Sequence, residues 1–306
     1  MNLIIKHSMR YIFLFISFLS FSQDQTARGV ILDKETRAPI PYVNIAILES
    51  TFGTSSDESG SYLLEIKKLD LSKYVKLSSL GYRDTTLTIQ NFIKLKEVLL
   101  TPIAEQLSEV VISEKFEEKT MVVNPINEED LSSGFGTNAK NPWIIALYMP
   151  YDSIYDDINY LKSVRFHFGN YKNKRSKFRL RMFSIGKDSL PDKDILKSNV
   201  IIDLKKKQKF ADIDISDQNL VFPTGGIYIA FEWLYIPYNE EKVTYVFEDK
   251  KNVKGVQYLP KFSAIEANEG DYTIAAYISG LWRFYSPNKF RSDKKLVPAI
   301  SLTLSN

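Results

Sequence analysis

At 306 residues with a formal charge of +3, the chain can hold two domains of ordinary size and carries too little excess charge to imply a polyanionic partner such as nucleic acid. Cysteine is absent, which excludes disulfides, thiolate metal sites, a cysteine nucleophile and lipidation on an N-terminal cysteine. With only two histidines, one of them His7 near the start, the usual histidine set of a catalytic zinc site is excluded too.

The chain opens with Lys6, His7 and Arg10, followed by the apolar run Tyr11 to Phe21. That run is about half the ~20 residues a membrane-spanning helix needs, and Ser20 and Ser22 supply the small residues a signal peptidase requires. Residues 1–22 therefore read as an export signal, with Gln23 first in the mature chain and no membrane span after cleavage. Loss of Lys6 and Arg10 takes the formal charge from +3 to about +1.

From 23 to 113, short runs of strand character follow one another: Gly29–Leu32, Val43–Leu48, Tyr62–Ile66, Val75–Leu80, Asp84–Ile89, Lys96–Leu100 and Glu109–Ile112. In the middle, Gly53-Thr54-Ser55-Ser56-Asp57-Glu58-Ser59-Gly60-Ser61-Tyr62 predicts a hairpin, because the Asp57 carboxylate can accept turn N–H groups and Gly60 suits the last turn position. Gly81 is expected at positive φ, and Pro39 and Pro41 mark a loop or an edge because neither can donate to a ladder. The pattern Gly29-Val30 to Asp33, Thr36, Pro39-Ile40-Pro41, Val43 to Ile45, Gly53-Thr54, Asp57 to Tyr62 and Leu80-Gly81-Tyr82 closely resembles the carboxypeptidase-like regulatory domain. The resemblance implies a small, seven-stranded transthyretin-like β-sandwich, common in secreted and outer-membrane proteins of Bacteroidota, and it names a module rather than an activity. Where that family often has glycine after the threonine of the first turn, this chain has Arg37.

Leu107 to Ile112 resembles the segment that follows this module in TonB-dependent receptors of the SusC type, where a plug and a large barrel come next. Too few residues remain here for that. An eight-stranded membrane barrel would need apolar outward faces with aromatic girdles, whereas lysine-rich runs interrupt the middle and Ser301 to Asn306 ends without an aromatic. The stretch 114–140, rich in Glu, Asn, Ser and Gly, is expected to be a linker.

Residues 141–306 are all-β by pattern. Val164, Phe166 and Phe168 alternate with Arg165 and His167, and Phe178, Leu180 and Met182 alternate with Arg179 and Arg181, as in half-covered strands. Val200–Leu204, Ile213–Ile215, Ile227–Trp233, Val243–Phe247, Tyr272–Ile278 and Ala299–Leu304 bring the number to about eight, which suits a jelly-roll-like sandwich. Pro223 to Trp233 weakly resembles part of galactose-binding-like sandwiches, and no sugar site is carried over from that. The lysines at 205–207 and 250–251 read as solvated loops between strands.

No catalytic constellation is complete. His167 is the only histidine left after export and no Gly-x-Ser-x-Gly elbow accompanies it, so it reads as a satisfied strand histidine. The Ser-x-x-Lys matches at 184, 286 and 292 lack their companion motifs, and Asp152, Asp156 and Asp157 lack the spacing and glycine of a calcium loop, so no metal or cofactor is expected. Glu232 lies inside a run with both faces apolar, so it is expected to be partly buried and to meet an arginine, from Arg165 beside His167 or from Arg179 and Arg181. Candidate binding residues are Glu232, Arg179 and Arg181, with Trp282 and Tyr285 as aromatic platforms near strand ends. The whole reads as an exported, non-enzymatic binding protein of the periplasm or outer-membrane surface that engages a partner protein or a carbohydrate. The alternative is a glycan-active hydrolase or esterase with its site on the C-terminal sandwich, which would need a second carboxylate facing Glu232.

Overall fold

A computed structural model describes residues 25–66, 72–103, 119–137, 143–168, 174–246, 252–287 and 293–306. The export signal and the expected strand Glu109–Ile112 lie outside these residues. The fold is all-β, built as two sandwiches with their own apolar cores.

The first sandwich holds β1 (Gln25–Asp33), β2 (Asn44–Ile47), β3 (Gly53–Ser55), β4 (Ser61–Ile66), β5 (Tyr74–Ser78) and β6 (Thr85–Thr88). The short helix α1 (Ile89–Phe92) and β7 (Glu97–Leu100) complete it. One sheet runs β4-β1-β7, with β1 and β7 parallel, and the other runs β3-β2-β5-β6. The period-2 rule acts visibly in β4, where Tyr62, Leu64 and Ile66 are buried against Ile31, Ile45 and Phe92 while Leu63 is left exposed.

The central turn forms with the expected chemistry but not as a hairpin. Asp57 Oδ1 accepts from the backbone N of Ser59 at 2.8 Å and of Ser61 at 3.0 Å, and Gly60 sits at φ 74°. Yet β3 pairs with β2 and β4 with β1, so the turn carries the chain from one sheet to the other. A three-residue β3 offers too short a ladder to hold β4, and the two sheets each had a longer partner waiting. Gly81 is at φ 82°, as expected, and Arg37 takes φ 62°, the conformation that suits the glycine of the resembling family.

The second sandwich begins inside the stretch expected to be a linker. β8 (Thr120–Val123) and β9 (Leu131–Thr137) lie there, pairing respectively with the last strand and with the longest one. The composition of β9 misleads because only Phe135 and Thr137 are buried in it; an edge strand needs little apolar alternation. Next come β10 (Ile144–Met149), β11 (Tyr160–His167), β12 (Ser176–Ile185), β13 (Pro191–Asp194), β14 (Val200–Leu204), β15 (Phe210–Asp214) and β16 (Ile227–Trp233). Then follow β17 (Glu240–Val246), β18 (Asn252–Ala267), β19 (Ile274–Ile278), β20 (Leu281–Phe284), β21 (Lys295–Pro298) and β22 (Ile300–Ser305).

One layer is a seven-stranded sheet ordered β13-β12-β16-β10-β19-β20, with β14 also on β12. The facing layer is made of two four-stranded sheets, β15-β11-β22-β8 and β17-β18-β21, the latter with β9 on the other side of β18. They join where β21 runs into β22, and the Ala299 N–H donates to Ser263 O at 3.0 Å. Between the layers Phe231 stacks on Phe178 and Phe262, at 4.6 and 4.8 Å between centroids, and the buried Trp233 Nε1 donates to Pro260 O at 2.8 Å. About eight strands are expected between 141 and 306, and the described residues there contain thirteen, which with β8 and β9 make the fifteen of this sandwich. β10 does not alternate because both its faces are covered, and Pro260 inside β18 hides a sixteen-residue strand.

Candidate functional site

β16 is buried at all seven positions because the seven-stranded sheet is covered on both sides. Its core face carries Ile227, Ile229, Phe231 and Trp233; on its other face Tyr228 and Ala230 pack among Phe183, Ala275 and Tyr277, and Glu232 meets Asn44 of β2 in the first sandwich. β2 sends Ile45 and Ile47 into its own core and turns Asn44 and the fully buried Ala46 toward the larger sheet. Between the sandwiches the backbone N of Tyr235 donates to Ser55 Oγ at 3.2 Å, Tyr42 packs with Leu234 and Ile236, and Lys177 pairs with Glu58.

Glu232 meets its arginines in this seam. Cross-strand register sets Arg179 directly opposite Glu232, and Arg181 opposite Ala230, one step along the same face. Arg179 Nη1 donates to Glu232 Oε2 at 3.3 Å and Arg181 Nη1 to the same oxygen at 3.0 Å, while Asn44 Nδ2 reaches Oε1 at 3.3 Å. Arg179 Nη2 donates to Tyr42 O at 2.6 Å, and Arg181 Nε pairs with Asp194. The side chains of Arg179 and Glu232 are 0% exposed. Burial pushes the Glu232 carboxyl up, but the charges of Arg179 and Arg181 and the hydrogen bonds from Arg181 and Asn44 outweigh it and hold the group below its ordinary value. Two cations face two carboxylates, so the cluster is balanced in charge, with Arg179 Nε and Asn44 Oδ1 the buried polar atoms that have no hydrogen-bond partner in it. It ties the first sandwich to the second and leaves no path for a ligand to Glu232.

The structure separates the remaining candidates. Trp282 packs on Phe183 and Tyr277, 5.2 and 5.4 Å between centroids, on the same face as Glu232 but toward the edge of the sheet. Tyr285 turns to the other side, edge-on to Trp143 at 6.0 Å. Asp152 Oδ1 caps the N–H of Ile154 at 3.0 Å and Asp156 accepts from the Tyr151 hydroxyl at 2.6 Å, so each has a local partner. Among the described residues no three His, Asp or Glu side chains converge as a metal would require.

Arg165 and His167 do not approach Glu232; they belong to a different site. On the outer side of the second sandwich a groove of about 870 Å³ runs between the two four-stranded sheets. Its floor is the outward face of β11, with Arg165 and His167, and of β18, with Gln257, Lys261 and Ser263; Lys209 and Phe210 stand at one side and β9 at the other. Arg165 is held over the exposed Phe210 ring at 4.8 Å and bonds Asp212 through two nitrogens, Nε to Oδ1 at 2.5 Å and Nη2 to Oδ2 at 2.8 Å. Lys209 pairs with Glu128 at 2.9 Å.

His167 differs from the satisfied histidine expected. It is 4% exposed, yet Nε2 has no hydrogen-bond partner while the residue lines the groove. Burial first, and then the neighbouring Arg165 charge, lowers its pKa, so the ring is neutral near pH 7 and can give or take one hydrogen bond. Alternation along β11 puts Arg165 and His167 on one face, which is the signal available in the sequence. Phe210 is hidden at the end of a lysine-rich run that reads as a solvated loop.

No helix among the described residues is long and apolar enough to cross a membrane. The chain is 30% identical over 132 residues to the TonB-dependent receptor SusC of Bacteroides thetaiotaomicron, a match that covers 42% of this chain and 12% of the receptor. Residues 27–112, the stretch that contains the first sandwich and the seam strand β2, match the family model of the CarboxypepD_reg-like domain.

Proposed function

We propose that this chain is an exported, non-enzymatic binding protein of the bacterial cell envelope, which holds a partner protein or a glycan in the groove between β9, β11 and β18. The observation that carries this reading is the groove itself: a recess of about 870 Å³ that gathers the exposed Phe210 ring and the cations Arg165 and Lys209, each fixed by a carboxylate. Such a mixture of one apolar platform and a few fixed polar groups is what a recognition site needs. The export signal read at residues 1–22 and the N-terminal likeness to an outer-membrane receptor support the envelope as the compartment.

The hydrolase alternative draws nothing from the structure. It depended on a second carboxylate across a shared space from Glu232, and Glu232 is sealed between the sandwiches with two arginines.

The test is fractionation combined with photo-crosslinking in cells, with a benzophenone analogue of phenylalanine at position 210 and, as control, at the exposed Leu63 of the first sandwich. The reading expects envelope-associated protein and a defined adduct from position 210 that position 63 does not give. Cytoplasmic protein, or equal adducts from both positions, overturns it.

A further inference from the structure

We infer that the occupant of the groove is a neutral oligosaccharide, which lays one sugar ring against Phe210 and takes hydrogen bonds from Arg165 and the serines of β9. This rests on the reading of the groove as the binding site and names the class of ligand.

The groove is matched in charge. Arg165 pairs with Asp212 and Lys209 with Glu128, and Lys261 is not free either. Burial and the Arg165 charge lower the His167 pKa, so the ring adds no charge near pH 7. Among the described residues no cation of the lining stands without a partner, so nothing there calls for an anionic group on the ligand.

Apolar contact is confined to one ring. Phe210 is 42% exposed, whereas Phe135 and Phe168 are buried and Ile126 and Leu131 pack against the core. A protein partner draws its affinity from a cluster of buried apolar anchors, which a single ring does not supply. A pyranose fits this lining, because it has an apolar C–H face for the ring and a rim of hydroxyls that each give and accept a hydrogen bond.

The platform is fixed before any ligand arrives. The Arg165 guanidinium lies over the Phe210 ring at 4.8 Å and is pinned to Asp212 through Nε at 2.5 Å and Nη2 at 2.8 Å. Its Nη1 makes no bond among the described residues, which leaves a positioned donor beside the ring. On the other side of the groove Ser132 and Ser133 are exposed, and each hydroxyl can donate or accept. The volume of about 870 Å³ lies in the upper part of the range of sites that enclose small ligands, so the recess has room for more than one sugar ring.

To test this, an array of neutral, uronic-acid and sulfated oligosaccharides is probed with the wild-type protein and with Phe210→Ala, Phe210→Trp and Arg165→Ala, each first checked for an unchanged melting temperature. The inference expects binding to neutral members, an affinity that falls roughly tenfold or more in Phe210→Ala and returns in Phe210→Trp, and a weaker complex with Arg165→Ala. The Kd of the best neutral member should also move less than about twofold between low and high salt. Binding of charged members alone, or a steep salt dependence, overturns the inference. If no member binds, the inference falls, and the crosslink at position 210 decides separately on the groove. Neutral binding that Phe210→Ala leaves untouched overturns the inference and places the sugar outside the groove. A peptide selected from a phage library that binds wild type but not Phe210→Ala, with no saccharide doing so, overturns the sugar and leaves the groove as the site.

Discussion

Two pairs of residues, Arg179 with Arg181 on β12 and Arg165 with His167 on β11, occupy equivalent alternate positions on the non-core faces of their strands. The first pair is covered by the first sandwich, meets Glu232 and disappears into a balanced cluster. The second pair faces a groove; its arginine takes an exposed partner, Asp212, and its histidine is buried in the groove wall. The chemistry of the strands is alike, and what lies on top decides whether it becomes a structural tie or a recognition surface. A charge cluster that is closed and neutral is stabilising only so long as every member stays, whereas a half-open one can exchange partners with a ligand.

The strongest way to break this comparison is to remove the cover. A chain of residues 119–306 loses Lys76 from beside Tyr277 and Asn44 and Tyr42 from the arginine cluster, which opens to water, so it is expected to aggregate or to lose its cooperative melt, whereas the intact protein should unfold in a single transition by calorimetry. A fragment that melts like the whole would show that the seam contributes nothing.

Within the seam, Glu232→Gln leaves two buried guanidinium groups with one carboxylate, and Arg179→Met leaves Glu232 with a single arginine. Each should cost about 3 to 5 kcal/mol by denaturant midpoint, because an uncompensated charge remains buried. A change under about 1 kcal/mol, in the range of exposed pairs, would mean that water reaches the cluster.

The same contrast has a pH signature. The folded Glu232 carboxyl lies below its ordinary value, so its contribution is full above the unfolded pKa of about 4.3 and is lost as pH falls below that toward the folded value. The stability gap between wild type and Glu232→Gln, followed from pH 7 to pH 3, is expected to stay constant and then close on the acid side. A gap that closes between pH 7 and pH 5 would point to a histidine instead.

The smallest effect is expected in the groove. Arg165 and Asp212 side chains are 45% and 47% exposed, so Arg165→Ala should change stability by less than about 1 kcal/mol while it weakens binding. A large loss of stability there would make the two pairs alike and remove the distinction between tie and recognition surface.

What the residues determined by themselves was local and facial. Alternation fixed which side chains of β11, β12 and β16 share a face; Asp57 with Gly60 fixed a turn; Gly81 fixed a positive φ; and the doubly apolar run around Glu232 required a buried carboxylate with a cationic partner. These follow from sterics, hydrogen bonding and desolvation within a few residues of chain, so no knowledge of the fold is needed. Tertiary structure alone decided which arginines met Glu232, and that Asn44 and Tyr42, almost two hundred residues away from it in sequence, would help to bury it. It placed β3 and β4 in different sheets, and it made a strand edge of the serine- and glycine-rich Leu131 to Thr137 that composition presents as a linker. The reason is the same in each case: a face or an edge is written in the local pattern, but its partner is set by contacts between distant parts of the chain, and β-pairing carries no signature of the strand it will choose.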